Sequence, residues 1–117
     1  MTIKRLGDAT SVADATIHGN TVYLAGQVAE DPVPTSVYEQ SKQVFAQIDA
    51  VLKEAGTDKT RLLRVQVFIA VMASFEEMNR AWKEWIPAGQ APARATVEAK
   101  LYDPRWALEV IATAAVK

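Results

Sequence analysis

The chain has 117 residues, half of them hydrophobic and 23% charged, and its 13 basic and 14 acidic side chains leave a net charge of -1. That length and balance fit one domain over residues 1–117, exclude a disordered chain, and supply no basic stripe for nucleic acid. With no cysteine and His18 as the one histidine, disulfides, thiolate nucleophiles and sulfur-ligated metals are excluded, and no spaced acidic loop suggests a carboxylate metal site.

In chain order, Thr2 to Asp8 carries a weak signal for a short edge strand. The segment ATIHGNTVYLAGQV, residues 15–28, has a Gly19-Asn20 step between two β-prone runs, which predicts a hairpin with a glycine-first turn. The two prolines of DPVPT, residues 31–35, predict a loop. Ser36 followed by Glu39 is the pattern of a capping box, and Tyr38, Ser41, Val44, Phe45, Ile48, Val51, Leu52 and Ala55 repeat at three and four along one helix face. Gly56 is placed to end that helix as its C′ residue.

RLLRVQVFIAV, residues 61–71, is rich in β-branched side chains and predicts a largely buried strand over Leu63 to Val71. Ser74 and Glu77 suggest a second capping box, opening a shorter helix whose inner face is Phe75, Met78, Ala81, Trp82 and Trp85. Pro87 and Gly89 end it. Two strands, Arg94 to Leu101 and Ala107 to Val116, close the chain around a loop with Tyr102-Asp103-Pro104, and a hairpin between them would place Arg94 and Glu109 on one face. The order (β)ββαβαββ predicts an α+β two-layer domain, a mixed sheet with two helices on one face.

Such a sheet leaves its other face open. The last strand, ALEVIATAAV, is apolar or small on nearly both sides, so a monomer would expose a patch that soluble monomers rarely tolerate. The expectation is self-association through the open face. No apolar run approaches the roughly 20 residues that span a bilayer, and MTIKRLGDAT lacks the apolar core of a signal peptide, so a cytoplasmic protein is expected. No nucleophile elbow, phosphate loop or dinucleotide fingerprint occurs.

What carries chemistry is APARATVEA, residues 91–99, where alternation puts Arg94, Thr96 and Glu98 on one face. A guanidinium cannot shed its charge, so it sits in water, pairs with an acid such as Glu98 or Glu109, or waits for an anionic ligand. His18, beside the turn, is expected to be exposed, and Trp82 and Trp85 to be core.

YLAGQV, APARATVEAKLYDP and ALEVIATA, with the helix positions between them, resemble the RidA/YjgF family over about Val22 to Val116, and the tryptophan helix with Gly89-Gln90-Ala91-Pro92 looks most like its YoaB-like branch. The resemblance implies a chorismate-mutase-like fold of the bacillus type, a homotrimer with sites in the clefts between subunits, no metal or other cofactor, and hydrolysis of reactive imines and enamines to 2-keto acids and ammonia. It gives Arg94 the substrate carboxylate and Glu109 the water. It puts Thr96 at a backbone contact to ligand and Asn79 beside the cleft; Gly26 would permit close backbone approach. A guanidinium holds a planar carboxylate through two parallel hydrogen bonds, and a carboxylate near the imine carbon can move the protons.

Two positions depart from the family. The stretch SVADATIHG carries no aromatic where well-characterised deaminases have one, the aligned residue being near Val12, and Ala25 stands where a serine often precedes the glycine. A protein that binds small carboxylates such as 2-keto acids without turnover is therefore the second expectation. Ribonuclease or translation-inhibitor activity, a third, is opposed by the balanced charge.

Overall fold

The computed structural model describes residues 2–32 and 36–117, so residues 33–35 of the proline loop lie outside the described residues. Six strands form one mixed sheet: β1 (Ile3–Leu6), β2 (Ala15–His18), β3 (Thr21–Leu24), β4 (Leu62–Ile69), β5 (Ala93–Glu98) and β6 (Leu108–Ala115), in the spatial order β1-β2-β3-β6-β4-β5. Helices α1 (Val37–Glu54) and α2 (Phe75–Trp85) cover one face. No helix among the described residues is long and apolar enough to cross a membrane.

Local chemistry sets several boundaries. Gly19 takes φ +61 between β2 and β3, which the glycine-first turn requires. Ser36 caps α1, its hydroxyl accepting from the Glu39 N–H at 3.0 Å. Gly56, at φ +80, closes the helix: its N–H donates to the Lys53 carbonyl while that of Thr57 reaches the Leu52 carbonyl, a Schellman pair. The second capping box does not form. A 3₁₀ turn over Met72–Ser74 leads into α2, Ser74 makes no side-chain cap, and Glu77 instead accepts from the Tyr38 N–H of α1 at 3.4 Å.

The terminal strands do not form the expected hairpin. β4, α2 and β5 make a β-α-β unit, in which the crossover helix brings β5 back parallel to β4, with Val65 opposite Arg94. The following loop then passes the end of β4, held there by Ala99 N–H to the Ile69 carbonyl and Ala70 N–H to the Ala107 carbonyl. β6 inserts between β3 and β4, antiparallel to both.

Alternation along β6 and β4 sends Leu108, Val110, Ala112, Val65, Val67 and Ile69 into the core beneath Val44, Phe45, Ile48 and Leu52 of α1 and Met78 of α2. Buried Gln40 fixes the start of β6, donating to the Arg105 carbonyl and accepting from the Ala107 N–H, both at 2.8 Å. That anchor lies two residues from Glu109.

Because one serine caps and the other does not, Ser36→Ala should cost about 1 kcal/mol, against less than about 0.5 kcal/mol for Ser74→Ala. Paired denaturant titrations check this; equal losses would contradict the cap assignment.

Candidate functional site

Arg94 stands on β5, which has a neighbour on one side only. Its partner Val65 is fully buried beneath the helices, so Arg94 leaves the sheet edge on the helix side. There the guanidinium carbon lies 4.8 Å from the Trp82 ring centroid and 5.5 Å from that of Phe75, and Nη1 donates to Asn79 Oδ1 at 2.8 Å. Phe75, Asn79 and Trp82, spaced four and three apart, form a stripe of α2 that faces it.

The acids considered as partners do not neutralise it. Ion pairs among the described residues join Arg105 to Asp103 and Lys117 to Asp58, and Glu98 Oε2 accepts from the Met72 N–H at 2.8 Å. Partial burial lowers the Arg94 pKa from its ordinary value, but a guanidinium starts so far above neutrality that it stays charged. A half-buried cation held by an amide oxygen and two rings has charge left to offer an anion. Thr96 shares the face, two residues along, but its hydroxyl oxygen is enclosed and has no hydrogen-bond partner. What β5 presents beside Arg94 is therefore backbone rather than that hydroxyl.

Glu109 lies elsewhere. It sits opposite Phe68 on β4, and since positions 65 and 68 point to opposite faces, Glu109 emerges on the open side of the sheet. The expectation that Arg94 and Glu109 share a face is thus corrected: once β5 pairs with β4 instead of β6, strand alternation separates them. A bridge between Gln27 and Val110, with N–H to carbonyl bonds of 2.8 and 3.0 Å, carries Gly26 against Glu109. A Cβ on Gly26 would fall 2.2 Å from Glu109 Oε2, so only glycine fits there without displacing the acid.

The five candidate residues thus fall into two groups. Arg94, Asn79 and Thr96 gather at the helix side of the sheet edge; Gly26 and Glu109 gather on the open face. Clefts of about 640 Å³ beside Tyr102 and Trp106 and about 550 Å³ beside Asp14 and Gln47 include neither Arg94 nor Glu109. Around Glu109 the open face carries Tyr23, 49% exposed, and Ile111, 39% exposed, the kind of surface a second chain covers. His18 is exposed, as expected, and Val12 lies 71% exposed. Among the described residues no group of three or more histidine or acidic side chains could hold a metal ion.

Trp82 and Phe75 were legible as a helix face but not as neighbours of Arg94. The signal was the 75, 79, 82 spacing, whose polar middle member is out of place on a core stripe.

A family model described as Endoribonuclease L-PSP matches residues 2–116. The RutC family protein YoaB of Escherichia coli strain K12 is 39% identical over 116 residues, covering 99% of this chain and 100% of the relative. A 2-iminobutanoate/2-iminopropanoate deaminase of Capra hircus is 32% identical over 91 residues, 74% of this chain and 66% of the relative. The crystal structure of a member of the YjgF protein family from Neisseria meningitidis matches with a TM-score of 0.96 at 36% identity, over 100% of this chain and 97% of that one.

Gly26→Ala should force the Glu109 carboxylate out of its place, since the new methyl group would overlap Oε2. A crystal structure of the variant reads this directly. Glu109 in the same rotamer beside an unmoved residue 26 would contradict the close approach described here.

Proposed function

From its place in the RidA/YjgF family, to which this chain belongs, and from the uncompensated charge of Arg94, we propose that it hydrolyses small 2-imino acids, and the enamines in equilibrium with them, to 2-keto acids and ammonia. The observation that carries the reading is a half-buried guanidinium, oriented by Asn79 and two rings, that no carboxylate of the described residues neutralises. A planar substrate carboxylate fits it through two parallel hydrogen bonds, which fix orientation as well as charge.

In this mechanism Arg94 and the free backbone edge of β5 hold the carboxylate, while Asn79 keeps the fork in register. Glu109 takes a proton from water as its oxygen bonds to the carbon of the protonated imine, giving a neutral carbinolamine. The same acid gives that proton to nitrogen, the carbon–nitrogen bond breaks as the hydroxyl passes its own proton back to Glu109, and ammonia leaves as the ketone forms. Proton transfer of this kind is worth about 10² to 10⁴ in rate. The imine is electrophilic already, so the proposal needs no covalent bond between substrate and protein.

Since one chain holds Arg94 and Glu109 on opposite faces of its sheet, the two meet only if Glu109 comes from a neighbouring copy. The proposal therefore includes a ring of chains, a trimer in the family's pattern, with sites in the clefts between them. Val12 and Ala25 favour the second reading, a protein that binds small carboxylates without turning them over, because the cleft lacks an aromatic wall and a hydroxyl there.

Decay of an imine made by an amino-acid oxidase tests the reading. Arg94→Ala should lower kcat/KM about a hundredfold, the worth of one or two charge-assisted hydrogen bonds. Glu109→Gln should lower kcat about 10²-fold or more with little change in KM. Arg94→Ala as fast as the parent would overturn the assignment; pyruvate binding by calorimetry with no measurable hydrolysis would favour the binding protein.

A further inference from the structure

Two tryptophans three residues apart on α2 play different parts. Trp85 is a core ring: it stacks on Phe45 with centroids 4.6 Å apart, and its N–H donates to both oxygens of Asp49 at 3.0 Å. Trp82 is as deeply buried, 7% exposed against 8%, and meets both neighbours edge-on at 5.9 and 5.7 Å. Yet nothing among the described residues accepts its N–H, which is not enclosed as the Thr96 hydroxyl is. Its ring instead lies 4.8 Å from the Arg94 guanidinium carbon, nearer than that of Phe75.

A guanidinium taken partly out of water without a carboxylate must recover electrostatic stabilisation from something else, and the negative face of an indole supplies it best among aromatic rings. A carboxylate in the same place would do so more strongly, but would neutralise the charge that a ligand needs. We propose that Trp82 is a positioning residue of the Arg94 site: its ring holds the guanidinium plane from one side while Asn79 fixes rotation within it, leaving the remaining N–H groups for a small planar carboxylate. The inference rests on the reading of Arg94 as the carboxylate-binding group. It separates binding from chemistry, because within the site the Trp82 ring touches only the carboxylate-binding fork, whereas the acid that moves protons is supplied by the neighbouring copy: loss of the ring should raise KM and spare kcat.

The test titrates the protein with pyruvate and follows the indole N–H resonances by NMR, with Arg94→Ala as control. The Trp82 resonance should shift along the same saturation curve as binding, that of Trp85 should stay, and neither should move in Arg94→Ala. In the imine assay Trp82→Leu should raise KM about fivefold to tenfold with kcat kept within about twofold, and Trp82→Phe, which keeps a ring face, should recover most of the loss.

A Trp82 resonance unmoved at saturating pyruvate, or a folded Trp82→Leu with the KM of the parent, would overturn the proposal while leaving the role of Arg94 intact. So would Trp82→Phe and Trp82→Leu losing kcat and KM alike, the pattern of general damage. If Trp82→Leu does not fold, the titration of the parent and the kinetics of Trp82→Phe decide. A parent that binds no pyruvate overturns this inference and the carboxylate reading of Arg94 together.

Discussion

A positive charge that cannot be discharged, set half out of water at the edge of a sheet, is the constraint on which this structure turns. Arg94 is too buried to be a solvated surface residue and lacks the acid that would make it a structural ion pair. Its stabilisation comes from an amide oxygen and two aromatic rings, groups that orient the cation without cancelling it.

The path of the chain decides what else can stand beside that charge. β4 acts as a partition: it pairs in parallel with β5 on one side and antiparallel with β6 on the other, so Arg94 and Glu109 flank the same strand yet face opposite ways. Gly26, brought to Glu109 by the bridge from Gln27 to Val110, completes a second group on the open face. That face also carries exposed Tyr23 and Ile111. An acid kept beside apolar surface makes chemical sense where another chain covers it, and the two incomplete groups then complement one another.

The features that were legible in the sequence are those decided within a few residues. Gly19 at its turn, Ser36 at its cap and Gly56 at its helix end each answer a local demand for a particular φ or a free N–H, and the structure places all three as their residue types require. Ser74 fails the same test because it closes a 3₁₀ turn at φ -91 and ψ 8, not in the extended conformation that Ser36 adopts as a cap, and its side chain makes no cap bond. Strand neighbours are a different matter. A loop of the length between β5 and β6 suits a hairpin as well as a passage across one strand, and only the preceding β-α-β unit, read as a whole, requires β5 to lie against β4. The site divides in the same way: Arg94 stands out from one residue among small and β-branched neighbours, and the 75, 79, 82 spacing marks a helix stripe with a polar member, whereas the meeting of that stripe with Arg94 and the contact of Gly26 with Glu109 are tertiary and are not decided by neighbouring residues.

The central claim, that the charge of one copy works with the acid of another, is tested most directly by mixing two inactive variants. Arg94→Ala and Glu109→Gln chains, unfolded together in equal amounts and refolded, reassort at random. In a head-to-tail ring of any size about one interface in four then carries both native side chains, so about one quarter of the parent activity should return although neither variant alone has it. A mixture as inactive as its components, from chains that demonstrably refold and reassociate, would contradict the shared site.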